Sequence, residues 1–190
     1  MSKAIHHESA TTQIEGSARY VDDIPEVAGT LHAAPILSQV AHGNVIQIND
    51  HAILAAPGVV GTVDSSDILG AKLLASFSHD EAIFADKTVQ HVGQVMGLVV
   101  AKSHKQALMA AKKIEVEIEP LTAILDVREA YEKQHWVLPP VEVSRGHAIE
   151  AIAKAPHHLS GSLDVGGQEH FYLEGQIAYA LPQENGQWLI

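Results

Sequence analysis

The feature that most restricts this chain is the run Val92-Gly93-Gln94-Val95-Met96-Gly97-Leu98-Val99-Val100-Ala101, together with the stretch from Ser103 to Glu119 behind it. A ten-residue run with one polar side chain fits a strand covered on both faces. Ser103 is then placed to cap a helix on which Ala107, Leu108, Ala111 and Ile114 share a face. Ile114, Val116 and Ile118 alternate with Glu115, Glu117 and Glu119, which is the pattern of an amphipathic strand. Strand, helix and strand in succession predict an α+β or βαβ unit.

Shorter elements are predicted around that unit. Residues 1 to about 15 read as an irregular polar arm, and Asp22-Asp23-Ile24-Pro25 as a turn. Thr30 to Ser38, with Pro35 inside it, reads as a strand at a sheet edge. Val45 to Asn49 alternates as a half-buried strand. Asp50 is expected to cap a short helix through Ala56, which Pro57-Gly58 ends, before a strand from Val59 to Val63. Ser66 to Gly70 predicts a helical turn, Leu121 to Leu125 a loop or short edge, and Asp126 to Lys133 a short helix. Gln134 to Gly146, with Pro139-Pro140, reads as a linker, and His147 to Ala155 as a helix stopped by Pro156. Only extended segments are expected beyond: His158 to Val165, Gln176 to Leu181, and Gln187 to Ile190 after an Asn185-Gly186 turn. An apolar strand at Leu189-Ile190 leads to the expectation that the sequence is the N-terminal part of something longer.

Composition removes whole classes of function. A net charge of −11 and scattered lysines argue against a phosphate-backbone partner, so no nucleic acid is expected. With no cysteine, thiolate metal sites and cysteine-held iron–sulfur clusters are excluded from this chain. No apolar run approaches the roughly 20 residues of a membrane span, and Met1 to Glu8 lacks the apolar core of a signal peptide. A cytoplasmic location is the expectation. Thirteen histidines include the neighbours His6-His7 and His157-His158, with His79, His91 and His104 standing alone. Adjacent rings do not share a helical face as i, i+4 pairs do, so no metal site is assigned. Phosphate loops, dinucleotide fingerprints, nucleophile elbows and His-Glu-x-x-His are missing, and the adjacent carboxylates Asp22-Asp23 and Asp80-Glu81 read as solvated charge. One polar cluster remains, Gly166-Gly167-Gln168-Glu169-His170-Phe171-Tyr172-Leu173-Glu174, where two glycines open conformations closed to other residues. Between extended segments it is either the wall of a site or a plain turn.

The chain resembles the opening part of the molybdenum-binding subunit of bacterial members of the xanthine dehydrogenase/aldehyde oxidase family of molybdenum hydroxylases. The resemblance is carried by His6-His7-Glu8-Ser9-Ala10, by Gly16 to Pro25, and by Ala56-Pro57-Gly58-Val59. It continues through Val92-Gly93-Gln94, through Glu119-Pro120-Leu121-Thr122-Ala123-Ile124-Leu125-Asp126, and through Gly166 to Glu174. It implies an α+β fold: an α/β hammerhead domain over residues 1–133, a linker with a short helix over 134–156, and the first β-strands of the molybdopterin-binding domain over 157–190. It further implies hydroxylation of hypoxanthine and xanthine, or of aldehydes, with oxygen from water. The cofactors implied are molybdenum-molybdopterin in the complete protein, and FAD and 2Fe-2S on a partner subunit. One site residue carries over: Gln168, whose carboxamide would hydrogen-bond an oxygen ligand of the molybdenum without ligating the metal. Glu169 and His170 match without a role, and Glu174 is expected to make structural hydrogen bonds. The family's pterin-binding loops and catalytic glutamate lie beyond Ile190, so this polypeptide alone is expected to be inactive and to hold no cofactor. The alternatives are a scaffold domain that packs against partner subunits, and a metal binder built on His157 and His158.

Overall fold

The computed structural model describes residue 5 and residues 7–74 and 80–190; the readings placed on Met1 to Ala4, His6 and His79 fall outside these. The arm holds a helix that periodicity did not announce, α1 (Ala10–Glu15). It buries nothing and rests on its end: Gly16, at φ 70°, lets Gly16 N–H reach the Gln13 carbonyl and Ser17 N–H reach that of Thr12. The Asp-Asp turn forms as expected, with Tyr20 N–H donating to the Asp23 carboxylate at 2.9 Å.

Strand β1 (His32–Leu37) and strand β2 (Gly43–Asn49) follow, then α2 (His51–Leu54) and β3 (Val59–Val63). Asp50 does not cap α2 with its side chain. Asn49 accepts the His51 N–H instead, at 3.1 Å, while the Asp50 carboxylate accepts from the Thr62 hydroxyl of β3 at 2.9 Å. A 3-10 turn at Ser65–Asp67 is capped by Asp64. The short strands β4 (Leu73–Leu74) and β5 (Glu81–Ala82) pair, and β6 (Thr88–Val89) precedes the long strand β7 (Val95–Ala101). That strand starts three residues later than the apolar run, because Gly93 (φ 84°) turns the chain and hands its N–H to Ser38. Next come α3 (His104–Ala111), β8 (Glu115–Pro120), α4 (Val127–Glu132) and α5 (Ala148–Lys154). Strands β9 (Leu181–Pro182) and β10 (Trp188–Leu189) close the sequence.

Two antiparallel three-stranded sheets result, in the orders β1-β7-β3 and β6-β2-β8. The apolar run is therefore a central strand, and Pro35 sits on the edge strand β1, where a missing N–H disturbs least. The helix after β7 does not return the chain to the same sheet. It delivers β8 to the second one, so the unit is α+β and not a parallel βαβ. Ser103 caps α3 as expected, accepting the Gln106 N–H. Its inner face is Ala107 and Ala110 with Ala111 and Ile114 beside them; Leu108 faces outward. On β8 the three glutamates are exposed and Val116 and Ile118 pack inward. The core gathers Ile36, Ile53, Val89, Met96 and Val99 between the sheets and helices.

The chain forms two compact units, Ala28–Val143 and, separately, Met1–Val27 with Ser144–Ile190. Every buried residue described belongs to the first. In the second, the arm and the C-terminal stretch meet where Val27 N–H donates to the Tyr179 hydroxyl at 3.0 Å. In the extended segments expected at 158–165 and 176–181, ladder pairing among the described residues is confined to Leu181, which with Pro182 pairs with β10. A strand requires a neighbour for its backbone groups, and none of the described residues supplies one to the rest.

Candidate functional site

The polar cluster 166–174 lies entirely at the surface. Neither Gly166 nor Gly167 uses the left-handed region; Phe171 does, at φ 50°, and is 94% exposed. A Cβ at Gly166 or Gly167 would meet nothing within 4 Å, and Gln168 beside them is exposed. Gln168 itself makes no hydrogen bond among the described residues, which leaves both carboxamide N–H donors and the carbonyl free. Glu169 accepts the Phe171 N–H at 3.5 Å, the limit of a hydrogen bond. Tyr172 accepts from the Gln176 amide at 2.7 Å and keeps its own hydroxyl proton available. Glu174, expected to be tied into the structure, makes no hydrogen bond among the described residues. The bonds expected of it need a donor within hydrogen-bond distance, and the free donors of this exposed stretch do not come that close.

The histidines are dispersed. The His158 Nε2 lies 2.5 Å from the Ile152 carbonyl at the end of α5, and His91 Nδ1 lies 3.1 Å from the Val92 carbonyl. Among the described residues, no three His, Cys, Asp or Glu side chains converge as a metal site would need.

Among the recesses of the described Ala28–Val143 residues are two that do not include the polar cluster. One is a shallow depression along β2 and β8, where Asn49 donates to Glu115; Asn44 donates to Glu119 farther along the same ladder. The other, about 240 Å³, is lined by Ile48, Met96, Lys72 and the acidic turn around Asp64. Both the hydroxyl and the N–H of Ser66 donate to the Asp64 carboxylate at 2.6 Å. These bonds, the hydroxyl first, hold Asp64 below the usual carboxylate range against the opposing effect of partial burial; Lys72 adds a smaller pull the same way. Across the recess, Ser65 donates to Asp86 at 2.7 Å. Sequence reading missed this network, although the Asp-Ser-Ser-Asp spacing of a reciprocal cap was visible.

The donor set at 166–174 suits a cofactor whose oxygen atoms accept hydrogen bonds, and it contains no residue poised to ligate a metal. Residues 15–122 match the a/b hammerhead domain of aldehyde oxidase and xanthine dehydrogenase, and residues 129–190 match the molybdopterin cofactor-binding domain. Xanthine dehydrogenase 1 of Arabidopsis thaliana is 39% identical over 88% of this chain and 13% of its own length. The xanthine dehydrogenase/oxidase of Gallus gallus is 32% identical over 98% of this chain and 14% of its own. Among solved structures, the aldehyde oxidoreductase of Desulfovibrio gigas superposes with a TM-score of 0.80 at 27% identity, covering 95% of this chain and 22% of that one. The chain thus spans about one seventh of the length of these curated relatives.

Proposed function

The chain belongs to the xanthine dehydrogenase/aldehyde oxidase family, carrying its hammerhead domain followed by the start of its molybdopterin-binding domain, and from that premise we propose that it is part of a molybdenum hydroxylase acting on a purine. The observation that carries this reading is the order of the two domain matches along one chain, with Gln168 unencumbered inside the second. Two xanthine dehydrogenases at 39% and 32% identity, against 27% for an aldehyde oxidoreductase, favour hypoxanthine or xanthine as substrate over an aldehyde.

When bound, the molybdenum cofactor supplies the redox chemistry; the protein supplies placement and hydrogen bonds. The part assigned to this chain is small. Gln168 would donate from its carboxamide NH₂ toward an oxygen on the cofactor, and a neutral amide would do so without competing as a ligand. A partner subunit bearing FAD and 2Fe-2S clusters completes the electron path in this reading, since the chain has no cysteine to hold a cluster. By itself the polypeptide is proposed to be inactive, because nothing described encloses the exposed face of Gln168.

The test is Gln168→Ala in the assembled, molybdenum-loaded enzyme. Xanthine turnover should fall roughly 10- to 100-fold while domain folding is unchanged. Full activity in that variant would remove Gln168 from the site. Molybdenum near one per chain, or xanthine oxidation, in the purified 190-residue polypeptide would overturn the claim that it is inactive alone. A scaffold reading is favoured by the confinement of all described buried residues to Ala28–Val143. It predicts capture of partner subunits by a chain that carries no molybdenum at any stage of assembly.

A further inference from the structure

The chain has three asparagines, Asn44, Asn49 and Asn185, and their surroundings differ in a way that fixes their chemistry. Asn44 and Asn49 lie in β2, in register with Glu119 and Glu115 of β8, and both side-chain amides donate to those glutamates, at 3.1 and 2.9 Å. Val45 and Asp50 follow them, so the next backbone nitrogen is shielded by a side chain. Asn185 is the opposite case. It is exposed, its carboxamide bonds to nothing among the described residues, and Gly186 follows with no Cβ to obstruct approach to its nitrogen. Both residues sit at positive φ, 59° and 72°, at the tip of the β9–β10 hairpin. Two residue pairs and the Gln183 N–H to Gln187 carbonyl bond (2.8 Å) hold that hairpin closed. A ladder that short opens readily.

We propose that Asn185 is a site of spontaneous backbone rearrangement, independent of the function assigned above. When the turn opens, the Gly186 amide nitrogen attacks the Asn185 Cγ. A C–N bond forms, the bond from Cγ to the side-chain nitrogen breaks, and ammonia leaves carrying the proton from the Gly186 N–H. The five-membered succinimide so formed adds water at either carbonyl and yields aspartate or isoaspartate. No oxidant or reductant is involved. The product chain carries one more negative charge. Isoaspartate also routes the backbone through an extra methylene, so the turn no longer brings Gln183 and Gln187 together. The β9–β10 pairing is lost within the segment that matches the molybdopterin-binding domain.

The experiment ages the purified 190-residue chain at 37 °C and mildly alkaline pH, then combines isoelectric focusing with isoaspartyl methyl-acceptor labelling of tryptic peptides. No lysine or arginine follows Lys154, so the peptide from Ala155 to Ile190 contains Asn185 as its sole asparagine, whereas Asn44 and Asn49 share the peptide Tyr20 to Lys72. The expected result is an acidic shift of one charge and label several-fold higher in the Ala155 peptide, both abolished in Asn185→Gln. Equal label in the two peptides, no acidic species, or an acidic shift that persists in Asn185→Gln would each overturn the proposal.

Discussion

At the scale of single residues, the acidic turn offers the sharpest prediction. Asp64 is held low by two bonds from Ser66, so its charged form stabilises the folded state at neutral pH. That contribution is present above the ordinary carboxylate value and is lost as pH falls through it toward the lower folded value. Ser66→Ala should raise the Asp64 pKa toward its ordinary value, read by carboxyl NMR titration; an unmoved titration would mean that the hydroxyl is not the main cause. Gly58 gives a second prediction. It sits at φ 80°, and a Cβ there would lie 2.3 Å from the Gln106 side chain. Gln106 can move aside but the backbone angle cannot, so Gly58→Ala should destabilise the fold by about 1–3 kcal/mol, measured by urea unfolding. Gly58 was legible as a stop signal, because Pro-Gly after an apolar turn has one usual meaning. Phe171 was not, since nothing about a phenylalanine announces a left-handed backbone.

At the scale of elements, strand patterning was legible, while the face of α3 was legible only in part. The β8 alternation followed from its one buried and one open face, and the β1 edge position from the N–H that Pro35 lacks. Bulges were illegible. In β2 the register shifts between Val45 and Gln47, and in β3 between Val59 and Gly61, which leaves Ile46 and Val60 more than half exposed. Their sequences look like ordinary strand, and only pairing with β8 and β7 shows the extra residue. Two isoleucines put this difference to the test. Ile53→Ala, fully buried in α2, should cost about 2–5 kcal/mol, whereas Ile46→Ala should fall within roughly 0.5 kcal/mol of the parent; urea midpoints decide both. The outward turn of Leu108 has a similar origin. Its helical spacing allowed either face, and the small side chains Ala107 and Ala110 won the inner one, where α3 lies against β1 and β7.

For the whole molecule, stability is concentrated in one unit. With every described buried residue between Ala34 and Ala110, amide exchange should be slowest in β7, β1 and α3 and near the free-chain rate across 157–180, where no ladder protects the backbone. Protection at 157–180 equal to that of β7 would contradict this distribution. The sequence showed the extended character of that stretch but not its lack of partners, since pairing is a property of neighbours and not of composition. The same unequal division sets an order of events during synthesis. Val27 and Tyr179 bond across 152 residues. At ribosomal rates of about 5–20 residues per second, Val27 waits roughly 8 to 30 s for Tyr179 to be made. The intervening sheets and helices have time to fold within that interval. The arm therefore spends its first seconds without its partner, and a nascent-chain protease should cut it there until Tyr179 has cleared the exit tunnel.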